Sequence, residues 1–420
     1  MPAGAAHPPI TSQPETASVR PTLAVATARL SVALMTPWDQ ECGNAEYAKR
    51  LAAGLSPSTT VIPFDMRNLM EVEGDRRMPR AENARYFRDL VTRVNESEAD
   101  LVHIQHEFCF FGRRIAAANR RFHDVMRSLR KPVVVSLHTW LGQMSRAQRN
   151  RLSSRWAEHC LHWQRTRQIA AALRRAEAIV LHSRDTHRQF VAAFPDLKKR
   201  VHVVPIPIER QQTGDAPASL RKGPRETWVM VPGFVSRYKR HAFVLAALRH
   251  LPESFRLVAA GGVHPKDRTG GDYWMELVQQ ADAWGLQSRV LFTGFLSDPA
   301  TQAAVLGQAD VFVLPYDEVG QSGSAVLADA LSYDKPVITS RARSMFVYRM
   351  DRDTAFSSIA VDVGEPEALA AEIKRCARSE AEAHPETRRH RLVAQQRHSM
   401  PNTRVAYESI YRTAFSGRTV

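Results

Sequence analysis

The hydrophobic pattern of the chain alternates between two kinds of segment. Short apolar runs rich in β-branched residues are separated by longer stretches in which apolar residues recur at helical spacing. In the first half, the strand-like runs span residues 30–37, 99–107, 132–140, 176–183 and 200–208. In the second half, they are TWVMVPGF, FRLVAAGG, RVLFTGF, VFVLP, KPVITS and SIAVDV. Such alternation predicts parallel sheets with helices on both faces.

A polar segment divides the two series of strands. Residues 209–226, ERQQTGDAPASLRKGPRE, are rich in glycine, proline and charge, which predicts a linker. We therefore expect an α/β protein of two doubly wound, Rossmann-like domains that face a cleft, an N-terminal one over 29–208 and a C-terminal one over 227–396. A chain of 420 residues is long enough for both cores. In such sheets, ligands bind beyond the carboxyl ends of the strands.

The chain carries few signals for targeting or crosslinking. Residues 1–28 are rich in Ala, Pro, Ser and Thr and predict a disordered tail. The run TLAVATARLSVALM differs from a signal peptide, because its basic region is poor and Arg29 interrupts it. No apolar run approaches the roughly 18 residues of a membrane span. The four cysteines are scattered and lack CxxC spacing. These features predict a cytoplasmic protein.

The charge balance is strongly basic, with a formal net charge of +15. It suggests an anionic partner such as nucleic acid, an anionic membrane or a phosphorylated substrate. A well-solvated, arginine-rich surface explains it equally well. The basic residues form no recognisable nucleic-acid motif and no aromatic platform, so we expect no nucleic-acid partner.

The most informative stretch is PYDEVGQSGSAVLADALSYDKPVI, residues 315–338. A strand is predicted to end at its first residue, and a small-residue helix is predicted to begin near Ser324. Ser322, Gly323 and Ser324 would leave backbone amides open at the helix start, where the helix dipole favours an anion.

Two polar residues flank this helix start. Gln321 could bond sugar hydroxyls, and Asp329, about two turns into the helix, could face a ribose. An equally weighted alternative is a capped helix that packs on the sheet through Ala325, Ala328 and Ala330.

Other strand ends carry candidate ligands for a phosphate or diphosphate. Gly43, between the first strand and the first helix, would let a phosphate or sugar approach the helix amino end, although a plain turn also accounts for a single glycine. Arg237 and Lys239 follow the first strand of the second half and could neutralise a diphosphate leaving group. Taken alone, these two basic residues are equally well explained as ordinary charged residues of the protein surface.

Histidines end two strands of the first half. His138 follows one strand, and His106 with Glu107 follows another. A strand-end histidine is more often a core residue than a catalyst, but two such ends converging on one cleft favour a functional role. The Asp-x-Asp spacing within residues 350–354 lacks a preceding buried strand, and no other cluster has metal-ligand spacing. We therefore predict no metal site.

In order and spacing, these motifs resemble the family 4 retaining glycosyltransferases, which have the two-domain GT-B fold. The resemblance runs from about residue 30 to 420. It is carried by TPWDQECGNAEYAKRLA, QHEFCFFG, VVVSLHT, GFVSRYKRH, VLFTGFLSD, ADVFVLPY and the stretch from 321 to 338. RVAYESIYRTAF is similar to the family's last helix, so residues 397–420 are expected to cross back to the N-terminal domain.

The resemblance implies roles for individual residues. His138, Lys239 and Gln321 are the expected catalytic residues, with His138 near the reacting sugar and Lys239 on the donor diphosphate. His106 and Glu107 are expected to contact the acceptor. In the family, an arginine follows the glycine that corresponds to Gly233. In this chain that position is Phe234, so we expect Arg237 to supply the positive charge. The full set of expected donor-binding residues is Gly43, Arg237, Lys239, Phe295, Leu296, Gln321, Ser322, Gly323, Ser324, Ala325 and Asp329.

The chain departs from the family at its hallmark, which is two glutamates separated by seven residues and followed by alanine. In this chain the spacing falls on Gln321 and Asp329, followed by Ala330. Asp329 keeps the charge with a shorter reach, and Gln321 keeps hydrogen-bonding capacity. A catalytically degenerate partner subunit therefore stays open as an alternative.

The resemblance implies transfer of a hexose-type sugar from a nucleotide diphosphate-sugar to a saccharide acceptor. Chemistry of this kind is a front-face substitution in which charge builds on the departing diphosphate. It needs no protein nucleophile, metal or cofactor, and domain closure would order the cleft. A sugar-nucleotide epimerase would need an acid and base set that the sequence lacks.

Arginines crowd the helical segments between residues 113 and 175. Arg120, Arg121, Arg127 and Arg130 recur close to helical spacing. Taken separately, each arginine-rich segment is better explained as an ordinary amphipathic helix with its apolar side in the core. The sharper hypothesis places this face of the N-terminal domain against anionic lipid. It predicts peripheral attachment at the inner face of the membrane and a lipid-linked saccharide acceptor, as in surface polysaccharide assembly.

Overall fold

The computed structural model describes residues 29–40, 42–66, 80–112, 115–140, 167–263, 270–318, 320–348, 358–359, 365–378 and 385–417. Within them the chain forms two six-stranded parallel sheets. The predicted tail, the Asp-x-Asp segment and most of the second arginine-rich stretch (141–166) lie outside the described residues.

The N-terminal sheet has the strand order β2-β1-β3-β4-β5-β6. Its strands are β1 Leu30–Thr36, β2 Thr59–Asp65, β3 Leu101–His106, β4 Val133–Leu137, β5 Ala178–Leu181 and β6 Val201–Val203. The helices of this half are α1 Gly43–Gly54, α2 Arg80–Glu96, α3 Ile115–Ser128, α4 Arg167–Arg174 and α5 Arg184–Ala193. Every residue of β3 and β4 is buried, which explains their continuous apolar runs.

The C-terminal sheet has the strand order β12-β11-β10-β7-β8-β9. Its strands are β7 Thr227–Pro232, β8 Phe255–Ala260, β9 Val290–Phe292, β10 Val311–Leu314, β11 Val337–Thr339 and β12 Ser358–Ile359. The helices are α6 His241–Leu248, α7 Gly270–Ala283, α8 Pro299–Gly307, α9 Ala325–Ser332, α10 Pro366–Arg378, α11 Pro385–Arg397 and α12 Met400–Ser416. Together the two sheets confirm the predicted pair of doubly wound domains.

Each sheet has one point at which its winding reverses. The chain leaves β1 for β2 and then returns to the other side of β1 as β3. In the same way, it winds from β7 through β8 to β9 and returns beside β7 as β10. Ligands of doubly wound sheets bind at such points, beyond the carboxyl ends of the strands. The loops after β1, β3, β7 and β10 are therefore the first places in which to look for a ligand site.

One strand of the N-terminal sheet was absent from the sequence prediction. β2 lies at the sheet edge, contains Pro63 and mixes buried, half-buried and exposed positions. Because an edge strand tolerates proline and needs only one apolar face, it has no continuous apolar run.

The last helix, α12, joins the two domains. It follows α11, whose Gln395 donates to the carbonyl of Leu331 in α9 at 2.7 Å. α12 itself packs against α1, β3 and β4, and its Tyr407 is completely buried. One buried apolar cluster runs through both sheets and this helix. The segment 209–226, by contrast, contains only one short 3-10 helix, Ala218–Leu220.

None of the helices in the described part of the chain is both long enough and apolar enough to cross a membrane.

Candidate functional site

The two domains meet where the loop after β4 contacts the loop before α9. The amide of Trp140 donates to the carbonyl of Gly320 at 2.9 Å, and the amide of Ser322 donates to the carbonyl of His138 at 2.9 Å. Thr139 forms an antiparallel bridge with Gln321, which lies between Gly320 and Ser322. A short two-stranded backbone pairing therefore fixes the spacing of two of the predicted catalytic residues, one from each domain.

The small residues before α9 are required by this contact. A Cβ on Gly323 would lie 2.9 Å from Cβ of His182 and 3.2 Å from Cδ1 of Ile206, both in the N-terminal domain. Ser322 is completely buried, and its hydroxyl donates to the carbonyl of Leu137 at 2.8 Å. The loop is kept small because the other domain packs against it, a reason that sequence analysis did not identify.

The helix start itself is open to an anion. Ser324 caps α9 by accepting a hydrogen bond from the amide of Leu327 at 3.1 Å. The amides of Ala325 and Val326, in the first turn, have no intrahelical acceptor, and the helix dipole places partial positive charge there.

A carboxylate that sequence analysis missed holds the loop in place. Oε2 of Glu318 accepts from the amides of Gly320 and Gln321, each at 2.9 Å. Its other oxygen accepts from the hydroxyl of Ser344 at 2.6 Å. In the sequence, Glu318 is visible only as an acidic residue three positions before Gln321. The structure shows that its role is to hold the shape of the loop.

Lys239 is a buried cation near the same helix start. It is 3% exposed, and its ammonium donates to the carbonyl of Pro232 at 3.3 Å and lies 5.6 Å from the ring centre of Tyr316. Burial lowers the pKa of this amine to about 7. Among the described residues, no carboxylate forms an ion pair with it, so an incoming anion would supply the missing charge.

Glycines at the ends of β7 and β8 make room for this lysine. Gly233 has a φ of +84°, and a Cβ on it would lie 2.4 Å from Nζ of Lys239 and 3.3 Å from Cγ2 of Val326. Gly261 has a φ of +156°, and a Cβ on it would lie 2.5 Å from the oxygen of Gly233. The lysine and the first turn of α9 thus approach the same glycine from two sides, where only a residue without a side chain fits.

Phe295 and Leu296, two of the predicted donor-binding residues, follow β9 and lie next to these glycines. The amide of Phe295 would be 2.8 Å from a Cβ on Gly262. The Phe295 ring is 45% exposed and stacks parallel to the ring of Phe234, with centroids 5.8 Å apart. An exposed aromatic face at this rim is able to stack with a base. Leu296 is partly buried against the core that both domains share.

His138 lies at the end of β4 and is half-buried. Its Nε2 lies 2.6 Å from Oε1 of Gln105, and its ring lies against those of His182 (4.8 Å) and Tyr47 (5.4 Å). Burial, together with the neighbouring His182, holds the pKa of His138 well below its ordinary value. The imidazole is therefore neutral near pH 7 and acts as a hydrogen-bonding group.

His182, which directly follows β5, was not among the residues predicted from the sequence. It is completely buried, and its Nδ1 lies 2.9 Å from the carbonyl oxygen of Val204. Within the described residues its Nε2 has no hydrogen-bond partner. Burial lowers its pKa to about 4. The sequence AIVLHS could have indicated this residue, because it is a third strand-like run of the first half that is followed by a histidine.

Three predicted residues are placed differently from the sequence expectation. Arg237 is exposed, forms an ion pair with Glu276 of α7 and lies over the ring of Tyr273, so its charge already has a carboxylate partner. His106 is 1% exposed and packs between phenylalanines of the core, which lower its pKa to about 3 by burial. Asp329 accepts a hydrogen bond from Arg50 of α1 at 2.8 Å. Its carboxylate holds an ion pair between the domains.

Glu107 and Gly43 occupy the N-terminal side of the site. Glu107 accepts from the hydroxyl of Thr139 at 2.5 Å and from the amide of Phe108 at 3.1 Å. Burial raises its pKa to about 7. Gly43 begins α1, and a Cβ on it would meet no protein atom within 4 Å, so the space above it is open. Among the residues described, no group of three or more His, Cys, Asp or Glu side chains could hold a metal ion.

Comparison with protein-family models identifies the chain. Residues 51–212 match the model described as Glycosyltransferase Family 4, and residues 225–379 match the model described as Glycosyl transferases group 1. The chain belongs to the family 4 glycosyltransferases. The junction between the two matches lies inside the predicted linker, so each half of the glycosyltransferase carries its own family match.

Solved structures with the same fold include HepE from Anabaena in complex with UDP and glucose. It has a TM-score of 0.67 and 17% identity, over 92% of this chain and 100% of that one. Sucrose-phosphate synthase from Thermosynechococcus elongatus has a TM-score of 0.71 and 17% identity, over 93% and 100%. A UDP-forming trehalose-phosphate synthase from Burkholderia xenovorans has a TM-score of 0.62 and 12% identity, over 91% and 100%. These neighbours give the glycosyltransferase the predicted GT-B fold. No curated protein sequence matches it significantly.

Proposed function

We propose that this glycosyltransferase is a retaining enzyme that moves a hexose-type sugar from a nucleotide diphosphate-sugar to a saccharide acceptor. The observation that carries the proposal is Lys239. Its amine is buried without a carboxylate partner, next to Gly233 and the open first turn of α9. A buried ammonium without a counterion costs free energy, and a diphosphate at the helix start would supply one.

The arrangement suits a reaction whose main requirement is charge stabilisation on the leaving group. As the bond to the sugar breaks, negative charge grows on the diphosphate, where the ammonium of Lys239 and the amides of Ala325 and Val326 can receive it. The neutral imidazole of His138, in the N-terminal domain, and the side-chain amide of Gln321, in the C-terminal domain, can form hydrogen bonds with hydroxyl groups of the sugar. The acceptor hydroxyl then attacks the anomeric carbon on the face that the diphosphate leaves, and its proton passes to the departing phosphate oxygen.

Metal independence follows from the same assignment. In this proposal Lys239 and the helix start occupy the place that a divalent cation would take beside a diphosphate. Transfer should therefore persist in excess chelator. Activity that disappears with EDTA and returns with magnesium or manganese would overturn this part of the proposal.

A UDP-sugar is the first donor to test. HepE, which shares the fold, has been solved with UDP, with UDP-glucose and with UDP and glucose. The exposed ring of Phe295 offers a stacking surface for a base in this chain. We propose a thermal-shift screen with a panel of nucleotide sugars, because a ligand that binds only the folded protein raises the melting temperature. Failure of every member of the panel to shift the melting temperature would contradict the donor assignment.

The acceptor is proposed to be a lipid-linked saccharide reached from an anionic membrane surface. α3 buries Phe122 and Met126, while Arg120 and Arg127 are exposed. Exposed arginines next to anionic lipid contribute about 1 kcal/mol each. Sedimentation with anionic and with neutral vesicles, at low and high salt, tests this. Equal absence of binding to both kinds of vesicle would indicate a soluble acceptor.

A second candidate function is a catalytically degenerate binding subunit. It is favoured by Gln321 in place of a carboxylate and by the engagement of Asp329 with Arg50. It predicts that nucleotide sugars bind but are not turned over. The retained Lys239 and His138 favour the enzyme.

A further inference from the structure

A continuous chain of buried hydrogen-bonding groups connects the crossover helix α12 to His138. The hydroxyl of Tyr411 lies 2.8 Å from Nδ1 of His103. Nε2 of His103 lies 3.3 Å from Nε2 of Gln105, whose Oε1 lies 2.6 Å from Nε2 of His138. His103 and Gln105 are completely buried. Since water does not reach these atoms, each polar group depends on its neighbour in the chain.

A second arm joins the same chain from the other tyrosine of α12. The hydroxyl of Tyr407 lies 3.2 Å from Oγ of Ser136, which lies 2.8 Å from Nε2 of His103. The hydroxyl of Tyr407 is also 2.7 Å from that of Tyr47. The ring of Tyr47 meets the imidazole of His138 edge-on, with centroids 5.4 Å apart. α12 therefore supports His138 both through hydrogen bonds and through a packed ring.

The order of donors and acceptors fixes where the protons lie. With the Gln105 amide placed as in the structure, its N–H donates to Nε2 of His103, so the proton of His103 is on Nδ1 and is donated to Tyr411. The carbonyl oxygen of Gln105 can only accept, so Nε2 of His138 carries the proton. Nδ1 of His138 is then the lone-pair nitrogen, able to accept a hydrogen bond from a hydroxyl group.

We infer that Tyr407 and Tyr411 are positioning residues that hold His138 in one orientation and in the Nε2–H tautomer. This inference rests on the proposed function for its consequence, because a lone pair on Nδ1 suits His138 to accept a hydrogen bond from a substrate hydroxyl. Both tyrosines are buried. They act on His138 through His103, Ser136 and Gln105, and through the ring of Tyr47.

The network also explains why α12 returns to the N-terminal domain. The carbonyl of His138 accepts from Ser322 of the C-terminal domain, while its ring is held by groups on β3 and α12. α12 follows α11, which is bonded to α9. The helix that links the domains and the histidine that faces both of them are thus parts of one connected set of contacts.

The tautomer of His138 in the substrate-free protein tests the inference directly. We would label the histidine ring nitrogens with 15N and record their chemical shifts in the wild-type protein and in Tyr411→Phe. The wild type should show His138 as a single Nε2–H tautomer. Tyr411→Phe removes the acceptor for Nδ1–H of His103, so the His138 resonances should move and a second tautomer should appear. An Nδ1–H tautomer in the wild type, or unchanged His138 shifts in the variant, would overturn the inference.

Two further variants separate positioning from a general loss of structure. Tyr407→Phe should also perturb His138. Tyr273→Phe is the matched control, because this tyrosine is also buried and its hydroxyl accepts a hydrogen bond from the amide of Ala242 at 3.1 Å, within the C-terminal domain. The control should leave the His138 resonances unchanged. Equal perturbation by all three variants would indicate a structural effect and contradict the inference.

Kinetics then connect the network to the reaction. With the donor found by screening, Tyr411→Phe should lower kcat roughly 10-fold to 100-fold while the KM for the donor changes little. A wild-type kcat in Tyr411→Phe would contradict the positioning role. If no donor is turned over by the wild type, the proposed function fails, while the nitrogen shifts still decide the inference.

Discussion

The amide of Ser322 donates a hydrogen bond to the carbonyl of His138 at 2.9 Å, across the boundary between the two domains. Together with the bond from Trp140 to Gly320, it aligns the loop before α9 with the end of β4. The pairing uses backbone atoms, and it needs a small residue at position 323, where the N-terminal domain packs closely. The pairing therefore fixes the spacing of Gln321 and His138, which belong to two different domains.

Gly323→Ala should impair this closure. The added methyl would lie 2.9 Å from Cβ of His182, so we expect a loss of about 1–3 kcal/mol in the free energy of unfolding. Gly43→Ala is the matched control for stability, because its methyl would enter open space. Gly43→Ala should leave stability unchanged yet weaken donor binding, if the donor approaches the backbone there. Chemical denaturation and calorimetry measure the two effects, and equal stability of both variants would contradict the packing argument.

Lys239→Met should separate stability from function. The methionine removes a buried ammonium that has no counterion, so the free energy of unfolding should rise on the order of 1–3 kcal/mol. Affinity for the nucleoside diphosphate should fall steeply, because charge-assisted hydrogen bonds are lost. Lys131→Met is a suitable control. This lysine precedes the amino end of β4, and its amine also donates to a backbone carbonyl, that of Ser97. A variant that is destabilised and binds the donor normally would refute the role of Lys239.

Donor binding should depend on pH through the same lysine. The pKa of Lys239 is about 7 in the free protein and would rise beside a diphosphate. Above pH 7 the free amine is increasingly neutral, so binding must take up a proton, and affinity should fall by up to about tenfold per pH unit. Calorimetry at pH 8 in buffers of different ionisation enthalpy measures the uptake. Uptake that is absent in the wild type, or identical in Lys239→Met, would disprove the linkage.

Arg50 and Asp329 should be energetically coupled. Their ion pair joins α1 to α9, and both side chains are partly exposed. A double-mutant cycle with Arg50→Met and Asp329→Asn should give a coupling of about 0.2–1 kcal/mol in the free energy of unfolding. If Asp329 serves only this pair, both single variants should weaken donor binding alike. A much larger loss in Asp329→Asn would restore the ribose role that the sequence suggested.

Sequence periodicity predicted the fold well because buried parallel strands such as β3 and β4 are continuously apolar. It missed β2 because an edge strand with Pro63 lacks that pattern. Within the site, Lys239 could be placed near a strand end from the chain alone. The ion-pair partner of Arg237 could not be predicted, because Glu276 lies 39 residues away in the sequence. The contact that keeps Gly323 small, and the link from Tyr411 to His103, join residues that only the tertiary fold brings together.

Release of nucleoside diphosphate from a panel of nucleotide sugars, with saccharide acceptors present, distinguishes an active glycosyltransferase from a binding subunit. A retaining enzyme should turn over at least one donor and give a product with the same anomeric configuration as that donor, and Lys239→Met should lose this turnover. Tight binding of a nucleotide sugar without any release of nucleoside diphosphate would contradict this prediction and would favour the degenerate binding subunit.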